Sequence, residues 1–331
     1  MRLLVTGGAG FIGSNFVHYW LDRHPDDHVV VYDLLTYAGN RASLADVEER
    51  IVFVQGDIAD LDLARKTMED EGVDTVVNFA AESHNSLAVL DPGLFARTNV
   101  LGTQLLLEAT RATQNRFHHI STCEVFGDLA LDSDEVFTEE SPYRPRTPYN
   151  ASKAAADHYV RAYHETFGVP VTITNCSNNY GAYQFPEKVL PLFVTNALDN
   201  LPLPMYASTQ HKREWLHVLD HCSAIDAVLR NGREGETYNV GSGVEATIEE
   251  IADLVLELTG KPASLKTIVP DRPGHDRRYL LDATKIHDEL GWAPTHGWHD
   301  GLADTVEWYT SNRAWWEPLK QRAPVEETAW R

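Results

Sequence analysis

Tyr149 and Lys153, four residues apart, are the pair in this sequence best suited to chemistry on a hydroxyl group. On a helix, positions i and i+4 are neighbours. A phenol with an ordinary pKa of about 10 is a poor base at neutral pH. A lysine ammonium beside it favours the phenolate. Such a pair takes a proton from a sugar hydroxyl while a nicotinamide takes the hydride. Tyr149 follows Glu124 by 25 residues (149 − 124), and Glu124 closes the run Ser121-Thr122-Cys123-Glu124. Tyr-x-x-x-Lys alone is common by chance, so its meaning depends on the elements around it.

Those elements alternate. Leu3–Val5, Val29–Tyr32, Ile51–Val54, Thr75–Phe79, Phe117–Ile120 and Val171–Thr174 read as strands. Helix-length amphipathic segments lie near 12–22, 61–70, 93–113 and 148–167. The alternation predicts an α/β fold, a Rossmann-type doubly wound parallel sheet. Beyond residue 176 the pattern loosens, punctuated by Pro186, Pro191, Pro202 and Pro204. Helical patterns return at 219–230, 247–259 and 299–313. We expect a dinucleotide-binding domain over 1–175, joined by a strand near 237–241. A smaller substrate lobe is expected over 176–331, with a cleft between the two.

Gly7-Gly8-Ala9-Gly10-Phe11-Ile12-Gly13 follows the first strand and opens the first helix. Glycines at Gly7, Gly10 and Gly13 allow a tight turn and a close backbone approach to a pyrophosphate on the helix N-terminus. Asp33 ends the second strand, 20 residues beyond Gly13 (33 − 13). An acid there bonds the adenine-ribose 2′-hydroxyl and repels a 2′-phosphate, which favours NAD over NADP. Asp57 and Ile58 are placed to edge the adenine. Ala80 and Ala81 leave room for the dinucleotide to cross the sheet, although simple packing explains them as well.

The bulk numbers narrow the classes. The 331 residues carry 28 Lys+Arg against 49 Asp+Glu, a net charge of −21. A surface this acidic disfavours nucleic acid and anionic membranes. An anionic substrate must then meet a local basic pocket. Three widely spaced cysteines, Cys123, Cys176 and Cys222, argue against a disulfide framework and against a zinc knuckle, and no metal is expected. No apolar run reaches the length of a membrane span, and the start has no signal-peptide layout. The expectation is a cytoplasmic protein.

Together the glycine motif, Ser121, Tyr149 and Lys153 resemble the extended short-chain dehydrogenase/reductases. Thr36-Tyr37-Ala38-Gly39-Asn40, Ala80-Ala81-Glu82-Ser83-His84, Ser177-Asn178-Asn179-Tyr180-Gly181, Gln184-Phe185-Pro186-Glu187-Lys188 and Asp271-Arg272-Pro273-Gly274-His275-Asp276 resemble the dTDP-glucose 4,6-dehydratases. The resemblance runs nearly end to end, to Trp315-Trp316-Glu317-Pro318. It implies transient oxidation at sugar C4 with NAD, removal of the C5 proton, loss of the C6 hydroxyl as water, and return of hydride to C6. By position it makes Tyr149 the C4 base and Lys153 its electrostatic partner. Thr122 would bond the C4 oxygen, and Glu124 would be the C5 base. Phe11, Ile12, Ser83, Thr98, Ser121, Cys176 and Asn179 would join the cofactor site. His84, Asn178, Lys188, Val189, Tyr206, Arg213, Arg272 and His275 would face the substrate. The segments 93–113 and 148–167 resemble the helices that pair across a two-fold axis, which implies a homodimer.

The chain also departs from that family. The acid expected between Thr122 and Glu124 is Cys123. A thiol of ordinary pKa about 8.5 stays protonated at neutral pH but is a weak donor. It would either assist loss of the C6 hydroxyl or be a small filler. Asn85-Ser86-Leu87-Ala88 replaces Val-Asp-Arg-Ser, and Ala207-Ser208-Thr209 replaces a Gly-Asp-Gly turn after Tyr206. Val244 stands where an asparagine is expected. The Thr-Cys-Glu run resembles exo-glycal-forming 5,6-dehydratases of nucleoside-antibiotic biosynthesis. The favoured expectation is therefore an NAD-dependent dehydratase of a sugar nucleotide or nucleoside that returns hydride to C4 and leaves a 5,6-ene. The alternatives are a 4-keto-6-deoxy product, a 4-epimerase, which needs no C5 base, and a dinucleotide-binding sensor.

Overall fold

A computed structural model describes residues 1–322. The last nine positions of the lobe expected over 176–331 lie outside the described residues. Seven strands form one parallel sheet: β1 (Arg2–Thr6), β2 (His28–Asp33), β3 (Ile51–Gln55), β4 (Thr75–Asn78), β5 (Arg116–Thr122), β6 (Val171–Cys176) and, out of sequence order, β10 (Thr237–Val240). The spatial order is β10-β6-β5-β4-β1-β2-β3. Registers such as Val5↔Val31 and Val5↔Val77 hold β1 between β2 and β4. Strands covered on both faces read as unbroken apolar runs, as Leu3-Leu4-Val5 and Val29-Val30-Val31 do. Chain order reverses at β1, so a crevice opens at the carboxyl ends of β1 and β4, the usual ligand position in such sheets.

Helices Phe11–Arg23 and Val218–Asn231 cover one face through Phe16, Trp20, Val218 and Ile225. Helices Leu61–Asp70, Thr103–Thr113 and Pro148–Phe167 cover the other through Met68, Leu106 and Val160. One expected helix is instead three pieces. Pro92–Phe95 starts on an Asp91 cap, Ala96–Gly102 widens into a π-helix, and Thr103–Thr113 returns to α geometry. π turns concentrate where a side chain is needed at a site. Here Asn99 accepts from the Glu82 N–H at 2.8 Å and donates to Ser152 Oγ at 2.8 Å. It thereby ties the loop after β4 to the helix that carries Tyr149.

The part of the chain beyond β6, expected to form the smaller lobe, contains strands the sequence pattern did not reveal. β7 (Asn178–Tyr180), β9 (Lys212–His217) and β11 (Glu245–Thr247) form one sheet, and β8 (Leu203–Tyr206) pairs with β12 (Lys266–Val269). Each is three to six residues long, and Lys212-Arg213-Glu214-Trp215-Leu216-His217 has no clean alternation. The lobe's own core gathers Phe193, Trp215, Leu302, Tyr309 and Trp316. The expected helix 299–313 is Trp298–Ser311, followed by a separate helix Arg313–Lys320. Among the described residues no helix is long and apolar enough to cross a membrane.

Candidate active site

The cofactor cradle is built at the end of β1. Gly7 has φ +65°, and a Cβ there would lie 2.7 Å from the Ala80 nitrogen. A Cβ on Gly13 would lie 2.3 Å from the Gly7 carbonyl oxygen. Backbone this tight leaves room for a ligand only if both stay glycine. Gly10 caps the helix Phe11–Arg23 without a side-chain bond, so the first helical N–H groups are open to an anion. Asp33 accepts from the Ala9 N–H at 2.9 Å and the Leu35 N–H at 2.7 Å. Burial pushes its carboxyl up, and those two bonds pull it back. The glycine turn, the open helix end and a fixed carboxyl one strand away suit a dinucleotide with an unmodified ribose. Asp57 has structural work as well, bonding the Ala59 N–H at 2.9 Å and pairing with Arg97 at 3.1 Å.

All of the residues expected to hold the cofactor line this cavity, from Gly7 to Asn179. Thr122, Glu124, Tyr149 and Lys153 line its inner end. Thr147 caps the helix Pro148–Phe167 by accepting from the Asn150 N–H at 3.2 Å, which sets Tyr149 in the first turn. Lys153 is buried. Its ammonium donates to the Ile120 carbonyl at 2.7 Å and lies 3.2 Å from His119 Nε2. Asp157, one turn further, accepts from Ser121 Oγ and from the Tyr143 hydroxyl, both at 2.8 Å. Burial pushes Lys153 down to about 8, while Asp157 opposes the fall.

The expected depression of the Tyr149 phenol is not found. Burial raises it well above its ordinary value, and the Glu124 carboxylate adds to the rise. The hydroxyl of Thr122 bonds the phenol and pulls the other way. Helical adjacency brought Lys153 close, but its ammonium is engaged by the end of β5.

Glu124 stands on the wall between two cavities and lines both. It sits in a 3₁₀ turn, Cys123–Phe126, that starts at Thr122. Burial raises its carboxyl, the Asp276 charge raises it further, and Arg272, Arg213 and a bond from Asn85 oppose this. Cys123 turns the other way. It is 1% exposed, packed with Val125, Phe126, Ala154, Tyr279 and Leu281, and lines neither cavity. Burial holds its thiol protonated. Successive residues leaving a strand point to opposite sides. The placement is that of a packing residue, so Cys123→Ala is expected to retain turnover within about threefold. Removing a general acid costs roughly 10²–10⁴-fold, and a loss of that size would identify the thiol as the proton donor.

The second cavity, about 650 Å³, opens toward the smaller lobe. His84, Asn178, Lys188, Val189, Tyr206, Arg213, Arg272 and His275 line it, whereas Thr122, also expected to contact the substrate, lines only the first cavity. Lys188 donates to the Ser83 carbonyl at 2.9 Å, and Arg213 to the Asp276 carbonyl at 2.8 Å. Arg272 Nε is buried without a hydrogen-bond partner. Three cations against one wall oppose the acidic field of the chain and suit a diphosphate. Burial, with Arg213 and Arg272 nearby, pushes His275 down to about 2, and burial pushes His84 to about 3, so both rings are neutral donors or acceptors. Sequence reasoning missed Asn85, Tyr279 and Asp276 as parts of this wall and its backing. Asn85 was visible as a departure from the family pattern, without a role. Tyr279 donates to Asp276 and lies under Arg213.

The chain matches the family described as GDP-mannose 4,6 dehydratase over residues 4–305. It is 50% identical over 321 residues to the dTDP-glucose 4,6-dehydratase of Mycobacterium tuberculosis, covering 97% of this chain and 96% of that protein. The dTDP-glucose 4,6-dehydratase of Streptomyces antibioticus is 48% identical over 328 residues, with the same coverage of each chain. The crystal structure of DesIV from Streptomyces venezuelae, a dTDP-glucose 4,6-dehydratase determined with NAD and TYD bound, superposes with a TM-score of 0.93 at 50% identity. It covers 96% of this chain and 100% of that one. The UDP-glucose 4-epimerase of Thermotoga maritima is more distant, at 27% identity and a TM-score of 0.88, covering 95% of this chain and 100% of that one. The chain thus belongs to the dTDP-glucose 4,6-dehydratase-like extended short-chain dehydrogenase/reductases, and it is an NAD-dependent sugar dehydratase.

Proposed function

We propose that the protein removes water across C5–C6 of a nucleotide-linked hexose of the dTDP-glucose type and releases the 4-keto-6-deoxy sugar. The observation that carries this reading is Glu124, set on the wall shared by both cavities beside the Thr122–Tyr149 bond. An epimerase needs no carboxylate at that place. NAD, held by the Gly7–Gly13 turn and Asp33, supplies the two-electron acceptor for C4 and the donor for the final reduction. Tyr149 takes the C4 hydroxyl proton, and Thr122 orients that oxygen. Glu124 then removes the proton from C5, which the C4 ketone has made acidic, and the protonated carboxyl, whose pKa burial raises, gives that proton to the C6 hydroxyl, which leaves as water; hydride returns to C6 and a solvent-derived proton to C5. Lys188, Arg213 and Arg272 hold the diphosphate so that C5 meets Glu124.

The relatives support reduction at C6 better than the 5,6-ene expected from Thr122-Cys123-Glu124. The burial of Cys123 away from both cavities supports it too, because a filler there does not redirect the reaction. Incubation with dTDP-glucose in deuterium oxide, followed by NMR and mass spectrometry, tests the reading. The expected product has a C6 methyl group and one solvent deuterium at C5. Olefinic C6 protons would establish the exo-glycal outcome instead, and a product of unchanged mass inverted at C4 would establish epimerisation.

The dinucleotide-binding part is assigned to 1–175 together with β10, and the remainder to the substrate lobe. A homodimer is part of the same proposal. Leu101, Tyr159 and Phe167, on the two segments expected to pair, are large apolar side chains exposed to solvent. Light scattering is expected to give about twice the 37.1 kDa chain mass. A monomer mass at working concentration would rule the dimer out. The three free, buried cysteines accord with a reducing, cytoplasmic setting.

A further inference from the structure

The stretch Asn85-Ser86-Leu87-Ala88 departs from the family pattern directly opposite Glu124. Asn85 opens the helix Asn85–Leu90, whose cap is His84, and its side chain enters the substrate cavity. Its Nδ2 donates to Glu124 Oε2 at 3.2 Å. Its Oδ1 accepts from Thr147 Oγ1 at 3.2 Å. Thr147 is the cap of the Tyr149 helix, and its oxygen already accepts from the Asn150 N–H. The hydroxyl proton of Thr147 is therefore free to go to Asn85.

This arrangement fixes which way the amide faces. A carboxylate only accepts, so the group facing Glu124 must be the NH₂. With the amide reversed, a carbonyl oxygen would face the carboxylate, and Thr147 would lose its acceptor. One orientation satisfies every group. We propose that Asn85 is the positioning residue for Glu124, locking the C5 base to the same helix end that presents Tyr149. Two bases acting on adjacent carbons are then held in one frame through Asn85 and Thr147. A valine at 85, as in the family pattern, could make neither bond.

The inference rests on the reading of Glu124 as the C5 base. The charged and titratable groups whose charges act on Glu124, or on which its charge acts, are Arg272, Arg213, Lys188, Asp276, Tyr149, Tyr279, Cys123 and Cys176. Of the variants proposed as tests, Asn85→Val removes both bonds, to Glu124 and to Thr147, while Asn85→Asp keeps an acceptor for Thr147 and replaces the donor facing Glu124 with a carboxyl. The readouts are kcat and KM against pH with dTDP-glucose, deuterium uptake at C5, and thermal unfolding to confirm the fold. Asn85→Val removes a donor that favours the ionised base, so the acid limb of kcat/KM is expected to move up by roughly one pH unit. The plateau kcat is expected to fall about tenfold, with KM nearly unchanged, because the base is less well aimed. Asn85→Asp keeps the size and shape and places a second carboxyl beside the first, so its limb is expected to move further up.

A folded Asn85→Val protein with an unmoved acid limb would overturn the positioning role, and so would an unmoved limb in Asn85→Asp. Glu124→Gln separates this failure from the other. If Glu124→Gln abolishes deuterium uptake while the Asn85 limb stays fixed, only the role of Asn85 falls. If Glu124→Gln still takes up deuterium at C5, the assignment of the base falls and the role of Asn85 falls with it.

Discussion

Glu124→Gln is expected to lower dehydration by roughly 10²–10⁴-fold, the usual contribution of a positioned general base. The amide keeps the shape of the side chain but cannot accept the C5 proton. Binding should change little, because Lys188, Arg213 and Arg272, the cations proposed to hold the diphosphate, are untouched. The wild-type pH profile should also carry the mark of this residue. Burial raises the Glu124 carboxyl, and a base must be ionised to work. Activity should therefore be present above the raised pKa and be lost as pH falls through it, at a higher pH than an exposed glutamate would give. The comparison of product formation in the two proteins, with deuterium uptake at C5, checks both points. Dehydration retained within about threefold in Glu124→Gln would mean that a group other than Glu124 takes the C5 proton.

The parallel sheet was legible because buried parallel strands are apolar on both faces, and Val29-Val30-Val31 has no other easy reading. The cradle was legible because close backbone approach demands glycine at Gly7 and Gly13 whatever else changes. β7, β8, β9, β11 and β12 were not legible. They are short, three of them carry charge, and they exist because they pair with segments distant in sequence, such as Asn178 with Trp215. Local periodicity does not contain that information. The same limit applied within the site. Spacing placed Lys153 beside Tyr149 but could not show that the Ile120 carbonyl engages the ammonium. It placed Cys123 between two functional residues but could not show that the chain turns it into an apolar cluster with Tyr279 and Leu281. Asn85 could be seen as a departure, but its meaning needed the Thr147 and Glu124 atoms in space.

Tyr149→Phe is expected to cost a comparable roughly 10²–10⁴-fold, because it removes the hydroxyl proposed to take the C4 proton beside Thr122. Burial and Glu124 both favour the neutral phenol, so its work as a base depends on positive charge in the inner pocket. Lys153 is the cation proposed to supply part of that charge, and Lys153→Met should lose activity as well. The lysine also leaves a thermodynamic signature independent of turnover. Its pKa falls from 10.5 to about 8 on burial. The sign follows from proton counts. Between about pH 8 and 10.5 the unfolded chain holds this proton and the folded chain does not, so stability rises with pH across that window. Below about pH 8 the buried ammonium is a standing cost, which the methionine variant does not carry. The stability of the natural protein relative to Lys153→Met is therefore expected to improve on going from pH 7 to pH 10, by up to on the order of 3 kcal/mol. Chemical denaturation of both proteins across that range measures it. A difference independent of pH would mean that Lys153 is not buried as an ammonium, and the charge that Tyr149 needs would have to come from another group in the pocket.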